Sequence, residues 1–244
     1  MFPAGRVAAA PDTHLVLIPS YNTGARLAGT IADAQRFWPH VWLVIDGSDD
    51  DTEIVARDRL RVIRRAVNGG KGAAVLDGVR AAAFEGFTHV LVMDADGQHP
   101  ADEIGRFIDI SIRNPTSMIL GVPMFDASAP RVRVIGRRVS NVLARIEARC
   151  DIGDALFGFR VYPLGPLLAV MEAGRHMRRY DFDTEIVVRL CWRGVPVVNV
   201  PAAVRYFSAA QGGVSHFRYG RDNLSLAGMH LRLIGAALWR RLGF

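Results

Sequence analysis

Short apolar runs alternate with longer amphipathic segments between residues 14 and 122. The runs predict strands at residues 14–19, 41–46, 60–65, 88–94 and 117–122. Apolar residues that recur every three or four positions predict helices at 26–37, 71–85 and 101–113, and a short acidic helix begins at 50–57. Strands that alternate with helices are typical of an α/β fold, in which helices on both faces cover a mostly parallel central sheet.

The second half of the chain has a less regular pattern. Residues 131–149 predict an amphipathic helix with arginines on one side, and its apolar side carries Val132, Ile135, Val139, Leu143 and Ile146. The remaining segments predict a strand at 157–162, a helix at 182–192, strands at 195–200 and 203–207, a loop at 211–215 and a final helix at 219–242. Because no repeat or linker separates the halves, we expect residues 1–244 to form a single domain.

Composition narrows the class of protein without identifying a ligand. Half of the 244 residues are apolar, the formal net charge is +6, and Lys71 is the only lysine. Arginine suits phosphorylated ligands, nucleic acids and anionic membranes, but a genome-wide preference for arginine codons explains the charge equally well. Cys150 and Cys191 lack metal-type spacing, and we expect reduced thiols in a cytoplasmic protein. No window reaches the ~18 uninterrupted apolar residues of a spanning helix.

Acidic and amide side chains follow three of the predicted strands. In open α/β sheets ligands bind beyond the carboxyl ends of the strands, where Asp46, Asn68 and Asp94 fall. Asp94 and Asp96 are two residues apart on an extended segment, so their side chains point the same way. Gln98, two residues further on, can point the same way as well. Their oxygens suit Mg²⁺ or Mn²⁺ on a nucleotide diphosphate, although Asp, Gly and Pro are also typical of a solvated turn.

The segments after the second and third strands offer contacts for a nucleotide. Asp46 can accept hydrogen bonds from a nucleobase or ribose, whereas the acidic residues behind it are typical helix caps. The glycines of NGGKG (residues 68–72) permit close backbone approach, and Lys71 can reach a phosphate or a base edge. The spacing excludes a Walker loop, and the chain has no clean Gly-x-Gly-x-x-Gly fingerprint.

Four motifs together carry a resemblance to a known family. They are IPSYN (18–22), DGSDDDT (46–52), NGGKGAAVLDG (68–78) and MDADGQHPADEI (93–104). In this order they resemble the family-two glycosyltransferases of GT-A fold, which is Rossmann-like, and more closely the polyprenyl-phosphate sugar synthases of the dolichyl-phosphate mannose synthase type. FGFRVY (157–162), FDTEI (182–186) and GGVSHF (212–217) extend the likeness.

The resemblance implies an inverting, metal-dependent transfer of a sugar from a UDP- or GDP-sugar to a lipid or polyprenyl-phosphate-like acceptor. Residues 1–122 would bind the nucleotide sugar, and residues 123–244 would bind the acceptor. Pro19, Tyr21, Asp46, Lys71 and Asp94 would contact the donor. Asp94, Asp96 and Gln98 would hold Mg²⁺ or Mn²⁺ on its diphosphate, which makes Asp96 a catalytic residue.

The nature of the acceptor decides whether the reaction needs a base. A phosphate is already ionised, whereas a hydroxyl must give its proton to a carboxylate. Asp183 and Glu185 fall where the family places acceptor-side residues and are the catalytic candidates, with Asp154 as a third. Each can instead be a helix cap or part of a surface ion pair.

Several positions depart from the family pattern. Thr23 stands where the family often has glutamate, and Ile45 stands where it commonly has the first of two aspartates; both positions bear on the preferred base. His216 replaces the lysine of the family's Gly-x-Ser-Lys loop, and the arginine that usually precedes that loop is missing. Arg205 or Arg218 can supply the phosphate contact instead, from either side of His216.

The C-terminal segment has the residue types of a lipid interface. Residues 224–239 are mostly apolar, but His230 and Arg232 interrupt them and make the segment too polar to span a bilayer. The residues at its end are of types that anchor a helix at a bilayer surface: Trp239, Arg240, Arg241 and Phe244. The arginine side of residues 131–149 can add a contact with anionic lipid, while a helix packed on the sheet is the alternative for 224–235. We expect a cytoplasmic protein with a peripheral membrane contact and no nucleic-acid partner.

Two other functions fit parts of the pattern. A sugar-phosphate nucleotidyltransferase would use a related sheet, but PSYNTGARL (19–27) does not match the glycine-rich, arginine-containing loop that such enzymes usually carry. A catalytically degenerate, membrane-associated nucleotide-binding protein is compatible with Thr23 and Ile45. Intact Asp94 and Asp96 argue against it.

Overall fold

Strands and helices mostly alternate along the described part of the chain, which in the computed structural model comprises residues 13–49, 60–125, 131–174, 176–204 and 219–241. The strands are β1 (His14–Ser20), β2 (Val41–Asp46), β3 (Arg61–Arg65), β4 (His89–Val92), β5 (Met118–Met124), β6 (Arg160–Pro163) and β7 (Val197–Ala203). The helices are α1 (Arg26–Phe37), α2 (Lys71–Phe84), α3 (Ile104–Arg113), α4 (Arg131–Ala148), α5 (Leu164–Ala173), α6 (Phe182–Trp192) and α7 (Tyr219–Arg241). A short 3-10 turn at Ala101–Glu103 leads into α3.

The strands form one mostly parallel sheet in the order β3-β2-β1-β4-β6-β5-β7. Only β6, among the described strands, runs antiparallel to its neighbours β4 and β5. The predicted mostly parallel α/β sheet is therefore confirmed, and β6 and β7 bring the second half of the chain into the same sheet as the first. The extent of the domain over residues 1–244 stays a prediction.

Alternation along each strand sends side chains into two core layers. In β2, Trp42 and Val44 belong to one layer, and Leu43 and Ile45 belong to the other. Helices α2, α4, α5, α6 and α7 contribute to the first layer, and α1 and α3 contribute to the second. Helices thus cover both faces, as predicted.

Two elements differ from the sequence prediction. The pattern does not predict α5, because the segment LGPLLAVMEA packs against both α2 and α6 and is apolar with little periodicity. The division into strands at 195–200 and 203–207 is wrong, since β7 runs unbroken through Pro201, which an edge strand tolerates. The helix start at 50–57, the loop at 211–215 and residues 205–207 lie outside the described residues.

Two stacked histidines lie at the amino-terminal edge of the sheet. His14 pairs with His89 in register, and their rings are 4.5 Å apart and nearly parallel. Nε2 of His14 lies 3.0 Å from Oγ of Ser111. Burial, together with the neighbouring His89, lowers the pKa of His14 to about 4, so this ring is neutral at pH 7.

We expect the free energy of unfolding to fall as the pH drops from 6.5 toward 4. The pKa of His14 in the folded protein lies below its ordinary value of 6.5, so its contribution is complete above pH 6.5 and is lost as the pH falls toward the folded-state pKa. The loss should be on the order of 2 kcal/mol, measurable by urea unfolding across this range. His14→Gln should flatten the slope, and His176→Gln, at an exposed position, should keep it. An unchanged slope in His14→Gln would contradict this account.

Candidate active site

The carboxyl ends of β1, β2 and β4 meet at one edge of the sheet, as predicted. Asp46 is the last residue of β2, and Asp94 follows β4 by two residues. Pro19 is buried near the end of β1, beyond the last residue of β1 that pairs with β4. The absence of an N–H on proline therefore costs no hydrogen bond between these two strands. Tyr21 is partly exposed just beyond β1.

The loops after β1 and β2 are tied to each other. Nδ2 of Asn22 donates to Oδ1 of Asp49 at 2.5 Å, and the Asp49 N–H donates back to Oδ1 of Asn22 at 3.1 Å. Thr23 is buried and hydrogen bonds to Ser20 at 2.9 Å. Ile45 packs in the core. Thr23 and Ile45, the two departures from the family pattern that bear on the preferred base, are therefore both buried.

Asp46 clamps the NGGKG loop to the end of β2. Its buried carboxylate accepts the backbone N–H groups of Gly69, at 2.9 Å, and of Gly70, at 2.7 Å. Arg65 forms an ion pair with the same carboxylate at 2.7 Å. A Cβ on Gly47, whose φ is +64°, would lie 2.5 Å from the backbone nitrogen of Asn68, so the loop packs directly on this turn. Asp46 is thus engaged mainly by the protein, and its contact with the nucleotide stays a prediction.

Asp46→Ala is expected to release this loop. The substitution removes the acceptor of two backbone N–H groups and one ion-pair partner, which should lower the free energy of unfolding by about 2–4 kcal/mol. Hydrogen exchange at the amides of Gly69 and Gly70 should become faster. Asp33→Ala, at an exposed position of α1, is the matched control and should change neither quantity. Unaltered exchange at the two glycines in Asp46→Ala would rule out the clamp.

Lys71 joins the two halves of the chain. Its Nζ lies 2.6 Å from Oδ1 of Asp94 and 2.8 and 2.9 Å from the two carboxylate oxygens of Asp183. Burial alone would lower the pKa of Lys71, but the charges of Asp183 and Asp94 outweigh it and raise that pKa, so the ammonium stays charged. A Cβ on Gly158 would lie 2.6 Å from Nζ, so any larger residue there would displace the lysine from this position.

Asp94 and Asp96 lie in contrasting environments. Burial would raise the pKa of Asp94, but the charge of Lys71 outweighs it and lowers that pKa to about 2. Burial and the neighbouring charge of Asp94 raise the pKa of Asp96, whose Oδ1 accepts the backbone N–H of Gln98 at 3.0 Å. A cation beside Asp96 would offset the repulsion between the two carboxylates.

The predicted metal ligands carry oxygen donors, which suit a hard cation. No cluster of three His, Cys, Asp or Glu side chains with metal-site geometry occurs among the residues that the structure describes. Asp94, Asp96 and Gln98 offer two carboxylates and one amide oxygen. Mg²⁺ commonly uses one or two carboxylates and completes its shell with substrate phosphates and waters.

The acceptor-side candidates occupy different environments. Asp183, in the first turn of α6, contacts Lys71. Glu185 is fully buried and pairs with Arg189 and Arg232, at 2.8 and 3.0 Å. Asp154 is buried and accepts the backbone N–H groups of residues 156 and 157 at 2.8 and 2.7 Å. Of the three, only Asp183 therefore meets the donor-side residues. Arg205, His216 and Arg218 lie outside the described residues.

Sequence reasoning missed two residues that support the site. Nδ1 of His99 accepts the backbone N–H of Asp94 at 2.9 Å, which leaves Nε2–H to face Oδ2 of Asp94 at 3.4 Å. Burial lowers the pKa of His99, which favours this neutral form. Arg160 is fully buried and donates to the carbonyl of Asp183 and to the hydroxyl of Tyr162. The motifs MDADGQHPADEI and FGFRVY contain these residues, but neither motif indicates what they contact.

Known proteins match most of the chain. The family model for glycosyl transferase family 2 matches residues 15–166, which is more than half of the sequence. A polyprenol monophosphomannose synthase from Mycolicibacterium smegmatis is 28% identical over 214 residues, covering 82% of this chain and 79% of the relative. An undecaprenyl-phosphate mannosyltransferase from Micrococcus luteus is 25% identical over 199 residues, covering 77% of this chain and 81% of the relative.

Solved structures share the fold. A crystal structure of glucosyl-3-phosphoglycerate synthase from Mycobacterium tuberculosis has a TM-score of 0.66 at 19% identity, covering 95% of this chain and 81% of that one. A structure of the same synthase with Mn²⁺, UDP-glucose and glycerol 3-phosphate has a TM-score of 0.60 at 18% identity, covering 95% and 80%. The likeness confirms the predicted GT-A fold. Together with the family match it establishes that the chain belongs to glycosyl transferase family 2 and is a glycosyltransferase.

Proposed function

We propose that the protein transfers a sugar, with inversion, from a UDP- or GDP-sugar to the phosphate of a lipid, with Mg²⁺ or Mn²⁺ on the donor diphosphate. The names of the relatives support a polyprenyl-phosphate acceptor. The Mn²⁺ and UDP-glucose in the structural neighbour support the metal and a nucleotide-sugar donor. The observation that carries the proposal is the contact of Lys71 with both Asp94 and Asp183.

The contacts of the candidate bases favour a phosphate acceptor over a hydroxyl. Both carboxylate oxygens of Asp183 already accept hydrogen bonds from the ammonium of Lys71. Glu185 is held by two arginines, and Asp154 accepts two backbone N–H groups. A phosphate needs no base because it is already ionised, so the reaction can proceed while all three carboxylates keep these contacts.

Each site residue then has a separate role in the proposed transfer. Asp94, Asp96 and Gln98 would hold the metal, which stabilises the negative charge that develops on the leaving diphosphate. His99 holds the backbone N–H of Asp94, and Lys71 keeps the Asp94 carboxylate ionised. A phosphate oxygen of the acceptor forms the bond to the anomeric carbon while the bond to the diphosphate breaks on the opposite face. Contacts of Pro19 and Tyr21 with the nucleotide, and of Arg205, His216 and Arg218 with phosphate, stay predictions.

A transfer assay with paired acceptors tests the proposal. The protein is incubated with UDP- and GDP-sugars and Mn²⁺, together with undecaprenyl phosphate or undecaprenol in detergent, and the products are identified by mass spectrometry. We expect a product with the phosphate and one nucleotide class, and its loss on adding EDTA. Glycosylated undecaprenol without glycosylated phosphate would overturn the choice of acceptor. Transfer that persists in EDTA would overturn the metal.

A further inference from the structure

Helix α4 exposes a row of large apolar side chains on the side that points away from the protein. Its buried side carries Ala144, Glu147 and Ala148. On the opposite side, large apolar residues recur at i, i+4, i+7 and i+11 and are between 51% and 60% exposed: Ile135, Val139, Val142 and Ile146. The apolar side predicted from the sequence is therefore largely exposed, and the side with Ala144 and Ala148 is the one that packs on the protein. This is unusual, because a surface helix normally turns polar residues to solvent.

Helix α7 lies beside α4 and repeats this arrangement. His230 of α7 pairs with Glu147 at 2.8 Å and with Ser140 at 3.1 Å, both on α4. Met229 and Leu233 of α7 are buried. Its outward residues Leu224, Leu231, Leu238 and Trp239 are between 51% and 76% exposed. Helix α7 therefore packs on the protein with one side and exposes large apolar residues on the other. We call these four residues and the four of α4 the outer surface.

Arginines border the outer surface. Arg138, Arg145 and Arg149 are exposed in a row at i, i+7 and i+11 along α4 and the residue after it, and Arg240 is exposed next to Trp239 on α7. The only acidic residue of α4 is Glu147, which is buried against His230. The outer surface therefore combines large apolar side chains with positive charge.

We propose that the outer surface docks on a bilayer that contains anionic lipids. Large apolar residues enter the boundary between head groups and acyl chains, and arginines beside them pair with lipid phosphates. A second copy of this chain fits less well because it would bring a second set of arginines toward the first. None of the helices in the described residues is long and apolar enough to cross a membrane.

This inference deepens the proposed function, because a lipid-linked acceptor is presented at a bilayer, but the two can fail separately. Docking is measured without donor or acceptor. Transfer to an acceptor in detergent does not need docking, so variants of the outer surface should keep that activity.

Vesicle sedimentation tests the docking. Wild-type protein is mixed with phosphatidylcholine vesicles that contain or lack phosphatidylglycerol. We expect binding to the anionic vesicles and a loss of about tenfold or more in partitioning for Val139→Gln/Ile146→Gln, because two large apolar side chains no longer enter the lipid. The matched control is Phe84→Gln/Ile112→Gln, which changes two exposed apolar residues on α2 and α3 and should bind like wild type.

A second pair of variants isolates the charge. Arg138→Gln/Arg149→Gln should bind anionic vesicles more weakly, with a smaller dependence on salt concentration. No binding of wild-type protein to anionic vesicles would overturn the proposal, as would equal binding by the Val139/Ile146 and Phe84/Ile112 variants. A dimer in solution that dissociates in Val139→Gln/Ile146→Gln would also overturn it and assign the outer surface to a second copy.

Discussion

Replacing Lys71 with methionine is expected to lower both the stability of the protein and its rate of sugar transfer. The ammonium contacts Asp94 and Asp183, and its removal leaves the buried Asp183 and the partly buried Asp94 without their shared counter-charge. Removing one partner of a buried ion pair typically costs about 3–5 kcal/mol, which urea unfolding measures. Transfer should fall by about a hundredfold or more, because the carboxylates that face donor and acceptor are no longer held in place.

A double variant separates these two effects. In Lys71→Met/Asp183→Asn the second substitution removes one of the uncompensated charges, so much of the stability should return. Transfer should not return, because the link between the donor and acceptor halves is still missing. A double variant that regains both would show that Lys71 serves only stability. A single variant as stable as wild type would contradict the contacts described for this lysine.

Asp96→Asn is expected to reduce transfer by about a thousandfold and leave the fold intact. The substitution keeps the size of the side chain and removes a charge that would hold the metal on the leaving diphosphate. Stability should change little or rise slightly, since burial and Asp94 already disfavour this charge. Asp109→Asn, at an exposed position of α3, is the matched control for the loss of one carboxylate. Wild-type transfer by Asp96→Asn would remove Asp96 from the proposed mechanism.

The strand ends and their carboxylates were predictable from the sequence because both signals are local. Apolar runs mark the strands, and the rule for ligands in open sheets places Asp46 and Asp94 at one edge. The charge partners were not predictable in this way. Lys71 contacts Asp183 across 112 positions of sequence, and no pattern near either residue specifies the other. Only the family resemblance pointed to Asp183.

Features that depend on three-dimensional packing were predicted least well. Periodicity indicates that α4 has an apolar side but not whether that side meets the sheet or the solvent, and here the small residues Ala144 and Ala148 meet the protein. Glu185 was a candidate base by its place in a motif, yet it lies between Arg189 and Arg232, the second of which belongs to a helix far along the chain. Such ion pairs become visible only once the helices are placed.

Binding of the donor tests the central claim most directly. A panel of UDP- and GDP-sugars is titrated by calorimetry into wild-type protein and Asp96→Asn, with and without Mn²⁺. We predict that one nucleotide class binds wild type only when Mn²⁺ is present and that Asp96→Asn, still folded, loses this binding. No binding of any donor to folded wild-type protein would contradict the account, as would equal binding by the variant. The first of these results would favour a protein that keeps the GT-A fold without turnover.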